Sequence, residues 1–175
     1  MRLMTSKRLL LLLPAAALVG LSGCESLNGS RAGNEMRINR VNPDTMVDPK
    51  NFGYTQIVTV ENARLVFLAG QGPTILGGPT PGPDDLRGQT RNAVDNILLA
   101  LDAIGAGPEH IVNLRINVVD YSPRMLIHIA PELKRLQAPG HAPAASVFVG
   151  VSSLVLPTTR IEIETVAAVP LHDSS

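Results

Sequence analysis

Apolar and polar positions between residues 55 and 169 recur with two periods, near two and near 3.6 residues, which are the signatures of strands and helices. Thr55 to Val60 and Arg64 to Ala69 are β-branched and apolar, with Glu61-Asn62-Ala63 between them, so two strands joined as a hairpin are predicted. Gly70 to Gly82 is rich in glycine and proline and must be loop. Asp84 is placed to cap a helix, and Asp85 adds negative charge at its start. Leu86, Thr90, Ala93, Ile97, Leu101 and Ile104 then follow at spacings of three and four, an amphipathic helix that stops at Gly105 and Gly107. Ile111 to Val119 alternates, with Leu114, Ile116 and Val118 on one side and Arg115 and Asn117 on the other. Arg124 to Leu136 has helical character, but Pro131 removes a hydrogen bond and crowds the preceding turn, so a break or kink is expected there. Ala145 to Val151 and Arg160 to Val169 complete the set, the last with Ile161 and Ile163 opposed to Glu162 and Glu164. The order strand, strand, helix, strand, helix, strand, strand predicts an α+β layer, one sheet with two helices on a single face.

The first part of the chain follows neither period. Arg2, Lys7 and Arg8 precede an apolar run from Leu9 to Val19 that holds only Pro14 as an interruption. A run of eleven residues is too short to span a bilayer core of about 30 Å as a helix, and a basic segment before a short apolar one is the layout of an export signal. Leu21-Ser22-Gly23-Cys24 resembles the lipidation site of bacterial lipoproteins, where the cysteine is acylated and becomes the new N-terminus. Cys24 is the chain's single cysteine. Acylation there leaves no thiol for a disulfide, a metal site or thiol catalysis. Glu25 follows, where inner-membrane retention usually has Asp, so the expected location is the outer membrane, facing the periplasm. From Glu25 to about Asn51 the composition turns to Ser, Asn, Gly, Arg and Pro, which reads as a tether. The expected organisation is a signal peptide over 1–23, a flexible tether from Cys24 to 48, and one domain over 49–170.

Composition narrows the chemistry. Of 15 basic and 15 acidic residues, the three basic ones before Cys24 leave 12 and 15 behind it, a net charge of −3. With no Trp, two Tyr and three Phe, the domain has neither a basic footprint for phosphates nor aromatic platforms for bases. No nucleic-acid partner is expected. His110, His128, His141 and His172 show no metal-ligand spacing with acids or cysteine, so no metal is expected. Gly77-Gly78 lacks the lysine and glycine pattern of a phosphate loop, and no Gly-x-Ser-x-Gly element is present.

Several short pieces resemble one family in their order and spacing. They are Phe52-Gly53-Tyr54-Thr55-Gln56, Leu68-Ala69-Gly70-Gln71-Gly72, Gln89-Thr90 with Asn96-Ile97, Gly105-Ala106, Val118-Val119-Asp120, Pro143-Ala144-Ala145-Ser146 and Ile161-Glu162-Ile163-Glu164. Together, from about Pro49 to Val169, they resemble the RidA (YjgF) family. The resemblance implies a chorismate-mutase-like fold with a single mixed sheet, a homotrimer with ligand clefts between subunits, and no metal or organic cofactor. Its best-known members hydrolyse reactive enamines and imines to 2-keto acids and ammonia.

That reaction needs a cation for the substrate carboxylate, best a planar guanidinium, and a group to position water and manage its proton. In the family the cation is the arginine of a Pro-Ala-Arg-Ser run, and the acid is the first Glu of Ile-Glu-Ile-Glu. Glu162 keeps the acid, whereas Ala145 stands where the arginine would be. A bidentate pair to a carboxylate contributes more than the roughly 1.5–3 kcal/mol of one charged hydrogen bond, so its loss weakens binding by about ten- to a hundredfold. Arg115, Arg124 and Arg160 are the candidates to replace it. The resemblance places Tyr54, Gly70, Gln71, Ala145, Ser146 and Val147 around the ligand. Against these stand plainer roles: packing for Tyr54, a turn for Gly70, loop hydrogen bonding for Gln71, and solvent exposure for Glu162. Glu164 and Asn96 are expected to be structural, Phe148 to make the pocket more apolar, and His141 to be exposed or a new polar group in the cleft.

Three readings remain open from the sequence. The chain is a lipoprotein trimer binding a small enamine-, imine- or keto-acid-like metabolite in intersubunit clefts. Alternatively it is a working enamine/imine deaminase, of the 2-iminobutanoate/2-iminopropanoate hydrolase type, that recruits another cation. The third reading is a non-enzymatic module of the cell envelope.

Overall fold

The computed structural model describes residues 35–49 and 51–171. The export segment, Cys24 and the tether as far as residue 34 lie outside the described residues. Six strands and two helices follow one another as β1 (Arg37–Val41), β2 (Ile57–Glu61), β3 (Ala63–Gln71), α1 (Leu86–Asp102), β4 (Ile111–Val119), α2 (Leu126–Leu133), β5 (Ala145–Val151) and β6 (Ile161–Pro170). Four of the strands form a mixed sheet in the order β3-β6-β4-β5. In it β4 and β5 are parallel and the other pairs antiparallel. The expected α+β layer with two helices is therefore present.

The pairing of β2 departs from expectation. No hairpin forms between β2 and β3. Asn62 takes a positive φ of 53°, and β2 pairs instead with β1, Arg37 opposite Glu61 and Val41 opposite Ile57. This strand, β1, lies inside the stretch whose composition reads as tether. A five-residue strand in which Arg37, Asn39 and Arg40 leave only Ile38 and Val41 apolar carries too little signal to stand out, and its partner is about twenty residues away.

The first helix, α1, begins one residue later than Asp84 suggests. Asp85 is the cap, its Oδ1 accepting from the Gly88 N–H at 2.8 Å. A Cβ at position 88 would collide with that carboxylate. The helix closes where expected, with Gly105 at φ +68° and the Ala106 N–H donating back to the Leu101 carbonyl. The second helix is not broken at Pro131. Instead α2 runs through it and gives way to a 3₁₀ turn at Lys134–Leu136.

Ile97 and Leu101 of α1, Ile129 of α2, Ile116 and Val118 of β4, and Ile161 and Ile163 of β6 make one core, each 3% exposed or less. Strand alternation puts those sheet residues on one face, beneath both helices. The other face carries Arg115, Asn117, Glu162 and Glu164 in its middle, and the exposed Leu65, Phe67 and Val147 towards its edges. Among the described residues Glu132 of α2 is the one buried carboxylate. It joins the helices through Arg87 at 3.0 Å, with Arg91 at 3.7 Å and Arg135 at 3.6 Å.

Candidate functional site

A face of amides on α1 holds the Gly/Pro-rich loop before it. Gln89 is fully buried; its NH2 reaches the carbonyls of Pro81, Gly82 and Thr158, and its Oε1 accepts from the Arg160 N–H at 2.8 Å. One turn on, the Asn92 amide donates to Pro73 and Pro79, and Asn96 donates to Gly72 and Thr74. Positions 89, 92 and 96 lie on one side of the helix, so three side chains pin two loops, 72–82 and 158–160. Asn96 is thereby structural, as its chemistry suggests. Asn92 carries the same role, unmarked by any motif.

Between these loops opens a cleft of about 410 Å³. Its polar walls include Gln71, Asn96, Thr159 and Glu162, and its apolar lip is Val155 and Leu156. Glu162 projects from β6 over Gly70, where the pairing of β3 with β6 shifts register between Leu68 and Gln71. A Cβ on Gly70 would fall 2.6 Å from the Glu162 Oε1. A side chain at 70 would therefore push the flexible Glu162 carboxylate aside rather than strain the backbone. Among the described residues Glu162 has neither an ion-pair nor a hydrogen-bond partner. Gln71 lines the cleft and also donates from Nε2 to the Ala69 carbonyl at 2.9 Å, so its amide is partly spent on its own loop.

The remaining candidates gather elsewhere. Thr55 ties the start of β2 to the approach of β5, its N–H donating to the Ala144 carbonyl and its hydroxyl to that of Pro143. This brings Tyr54, which packs near Phe52 with ring centroids 6.5 Å apart, to the neighbourhood of Ala145. Ala145 and Val147 point to the open sheet face, but alternation turns Ser146 to the helix side opposite Leu114. Phe148 shares that side and packs on Tyr121 at 4.9 Å against the core, so it does not line the cleft as expected.

The two groups do not meet within one chain. Ala145 stands opposite Asn113 and Glu162 opposite Asn117, on either side of β4. Four residues of strand separate them by about 13 Å, with two strand spacings of about 4.8 Å across the sheet as well. Of the candidate arginines, Arg115 stands between the two on β4, opposite Val147 and Glu164. Arg115 donates from Nε to the Asn117 Oδ1 at 3.3 Å and lies 3.6 Å from Glu164, which gives Glu164 its structural role. Arg160 donates to the Val119 carbonyl, and Arg124 sits in a 3₁₀ turn. None of the three lines the cleft. His141 stands on another recess, with Arg40 and His110. Among the described residues no three or more His, Cys, Asp or Glu side chains cluster to hold a metal ion, and no helix is long and apolar enough to cross a membrane.

Residues 47–169 match the family model described as Endoribonuclease L-PSP. A Yersinia pestis protein of unknown function from the conserved Rid family, YyfB, is 35% identical with a TM-score of 0.69, over 75% of this chain and 98% of that one. The chain belongs to the RidA (YjgF) family. The protein YJGH, 25% identical with a TM-score of 0.52, covers 65% of this chain and 82% of its own. Escherichia coli TdcF, solved with bound serine, shares the fold at 22% identity and a TM-score of 0.50, over 59% of this chain and 79% of that one. No curated protein sequence matches significantly. Within this chain Ala145 and Glu162 stand at two different places.

Proposed function

We propose that the protein binds a small enamine-, imine- or keto-acid-like metabolite in clefts between the subunits of a homotrimer, without the family's usual 2-imino acid hydrolysis. The observation that carries this reading is the alanine at 145, together with the absence of Arg115, Arg124 and Arg160 from the lining of the Glu162 cleft. Two features support the assembly. Glu162 and Ala145 are too far apart to share a ligand in one chain, so a second copy must supply one of them. The sheet face not covered by helices also exposes Leu65, Phe67 and Val147, with Phe67 73% accessible, an apolar area suited to burial against another subunit. TdcF holds serine, so a small amino acid fits at least one protein of this fold.

The competing reading, an active enamine/imine deaminase, draws on Glu162. Its carboxylate lies free in the cleft, where a water-positioning acid would be needed. Purified full chain mixed with freshly generated 2-iminopropanoate separates the two. The expected result is ammonia release at the spontaneous rate. Release faster than that, and lost in Glu162→Gln, would establish the deaminase. The family model's description names an endoribonuclease, but a net charge of −3 behind Cys24 and five aromatic residues in all make a poor RNA surface.

The same proposal places the protein on a membrane facing the periplasm, held by acyl chains on Cys24. One chain gives marginal, reversible anchoring, and two or more give stable anchoring. Radiolabelled palmitate fed to cells expressing the protein should enter it and be absent from Cys24→Ser. Label retained by that variant would contradict the anchor, as would an unlabelled wild type.

A further inference from the structure

Near the start of β4, Arg40 reaches in from β1 and donates through Nη2 to the Glu109 and Ile111 carbonyls, both at 3.0 Å. Its Nε–H is buried and has no acceptor among the described residues. Among these residues no carboxylate forms an ion pair with it either. Burial lowers its pKa, since a guanidinium drawn from water loses solvation that two carbonyl dipoles only partly replace. A charge held this way is usually balanced by something.

Beside it is a recess of about 200 Å³ whose polar walls are Arg40, Glu109, His110 and His141, with Met36 and Ile38 apolar. The Gly107 N–H donates to the His110 Nδ1 at 3.0 Å, so in the neutral ring the proton sits on Nε2 and remains available as a donor. The Glu109 Oε1 lies 3.3 Å from that same Nδ1 and adds a negative charge to the rim. One guanidinium, two imidazoles and one carboxylate favour a small, singly charged oxyanion over a bulky or multiply charged one.

We propose that Arg40, His110 and His141 form a second ligand site, for a small monocarboxylate, at the end of β4 away from Glu162. The site does not depend on the function assigned to the Glu162 cleft. Glu162 stands opposite Asn117, six residues along β4 from the Ile111 carbonyl that Arg40 holds, about 20 Å at strand rise. The recess is too small for a cofactor and suits a molecule of acetate or pyruvate size.

The test uses the purified full chain in detergent with ¹³C-labelled histidine, titrated with sodium acetate against sodium chloride at equal ionic strength. The His110 and His141 ring signals should move saturably with acetate and not with chloride. His128, on α2 and outside the recess, should stay still. Arg40→Gln should weaken the effect at least tenfold, and Glu162→Gln should leave it unchanged. Should Arg40→Gln fail to fold, as its unmoved-signal control would reveal, His141→Ala in the exposed loop should still weaken binding about threefold. Signals that do not move, that move equally with chloride, or that respond unchanged in Arg40→Gln or His141→Ala would overturn the site.

Discussion

Gln89→Ala should lower the unfolding free energy by about 3 kcal/mol, the cost of leaving several buried partners of one amide unmet. Gln89 is wholly inaccessible, and truncation strands the Arg160 N–H and the carbonyls that its NH2 serves. For a domain of this size that is about 10 °C in Tm, read by far-UV circular dichroism at fixed protein concentration. Asn96→Ala is the comparison. Its amide holds Gly72 and Thr74 at a more accessible place, where water can take over the carbonyls, so a loss of about 1 kcal/mol or less is expected. Equal losses at the two positions would show that the loops around the cleft do not depend on Gln89. This matters to function because those loops carry Pro73, Thr74 and Thr159 of the cleft wall.

Glu132→Ala should cost about 2 kcal/mol, the worth of charge-assisted hydrogen bonds whose partners are not left buried. The carboxylate is 7% exposed, while the arginines around it are 41–53% exposed. Freed arginines can turn to solvent, which limits the penalty to the lost pairing of α1 with α2 and the space left behind. Charge is the decisive element, so Glu132→Gln should recover only part of the loss. Chemical denaturation of the three proteins checks the order wild type, Gln, Ala. An alanine variant as stable as wild type would mean that the helices are held by Ile97, Leu101 and Ile129 alone.

Much of this architecture was legible in the chain because it is local. The spacing from Leu86 to Ile104 and the alternation in 111–119 and 160–169 are set by backbone period, and the observed α1, β4 and β6 follow them closely. Expectation failed where pairing is long-range. Nothing near Glu61-Asn62-Ala63 states that β2 prefers β1, because the choice depends on the sheet as a whole. Pro131 was overestimated as a breaker; near the end of a short helix its missing hydrogen bond costs little continuity. Polar residues on an apolar helix face were the other gap. Gln89 and Asn92 look like flaws in an amphipathic pattern and are in fact the groups that satisfy two loops.

The candidate site was legible in part. Glu162 and Gly70 belong to motifs far apart in sequence, and the register of β3 with β6 brings them into contact. Ser146 was drawn in by adjacency to Ala145, yet a strand sends neighbours to opposite faces. Arg40 left one faint signal, its place on the inward side of the Met36-Ile38-Arg40 alternation, where a guanidinium is out of character.

Introducing the missing cation tests the central claim most directly. In Ala145→Arg, assayed as the full chain with 2-iminopropanoate beside wild type, ammonia release should rise at least tenfold above a wild type that does no better than buffer. A wild type that already hydrolyses the imine rapidly, with Ala145→Arg adding nothing, would contradict the account.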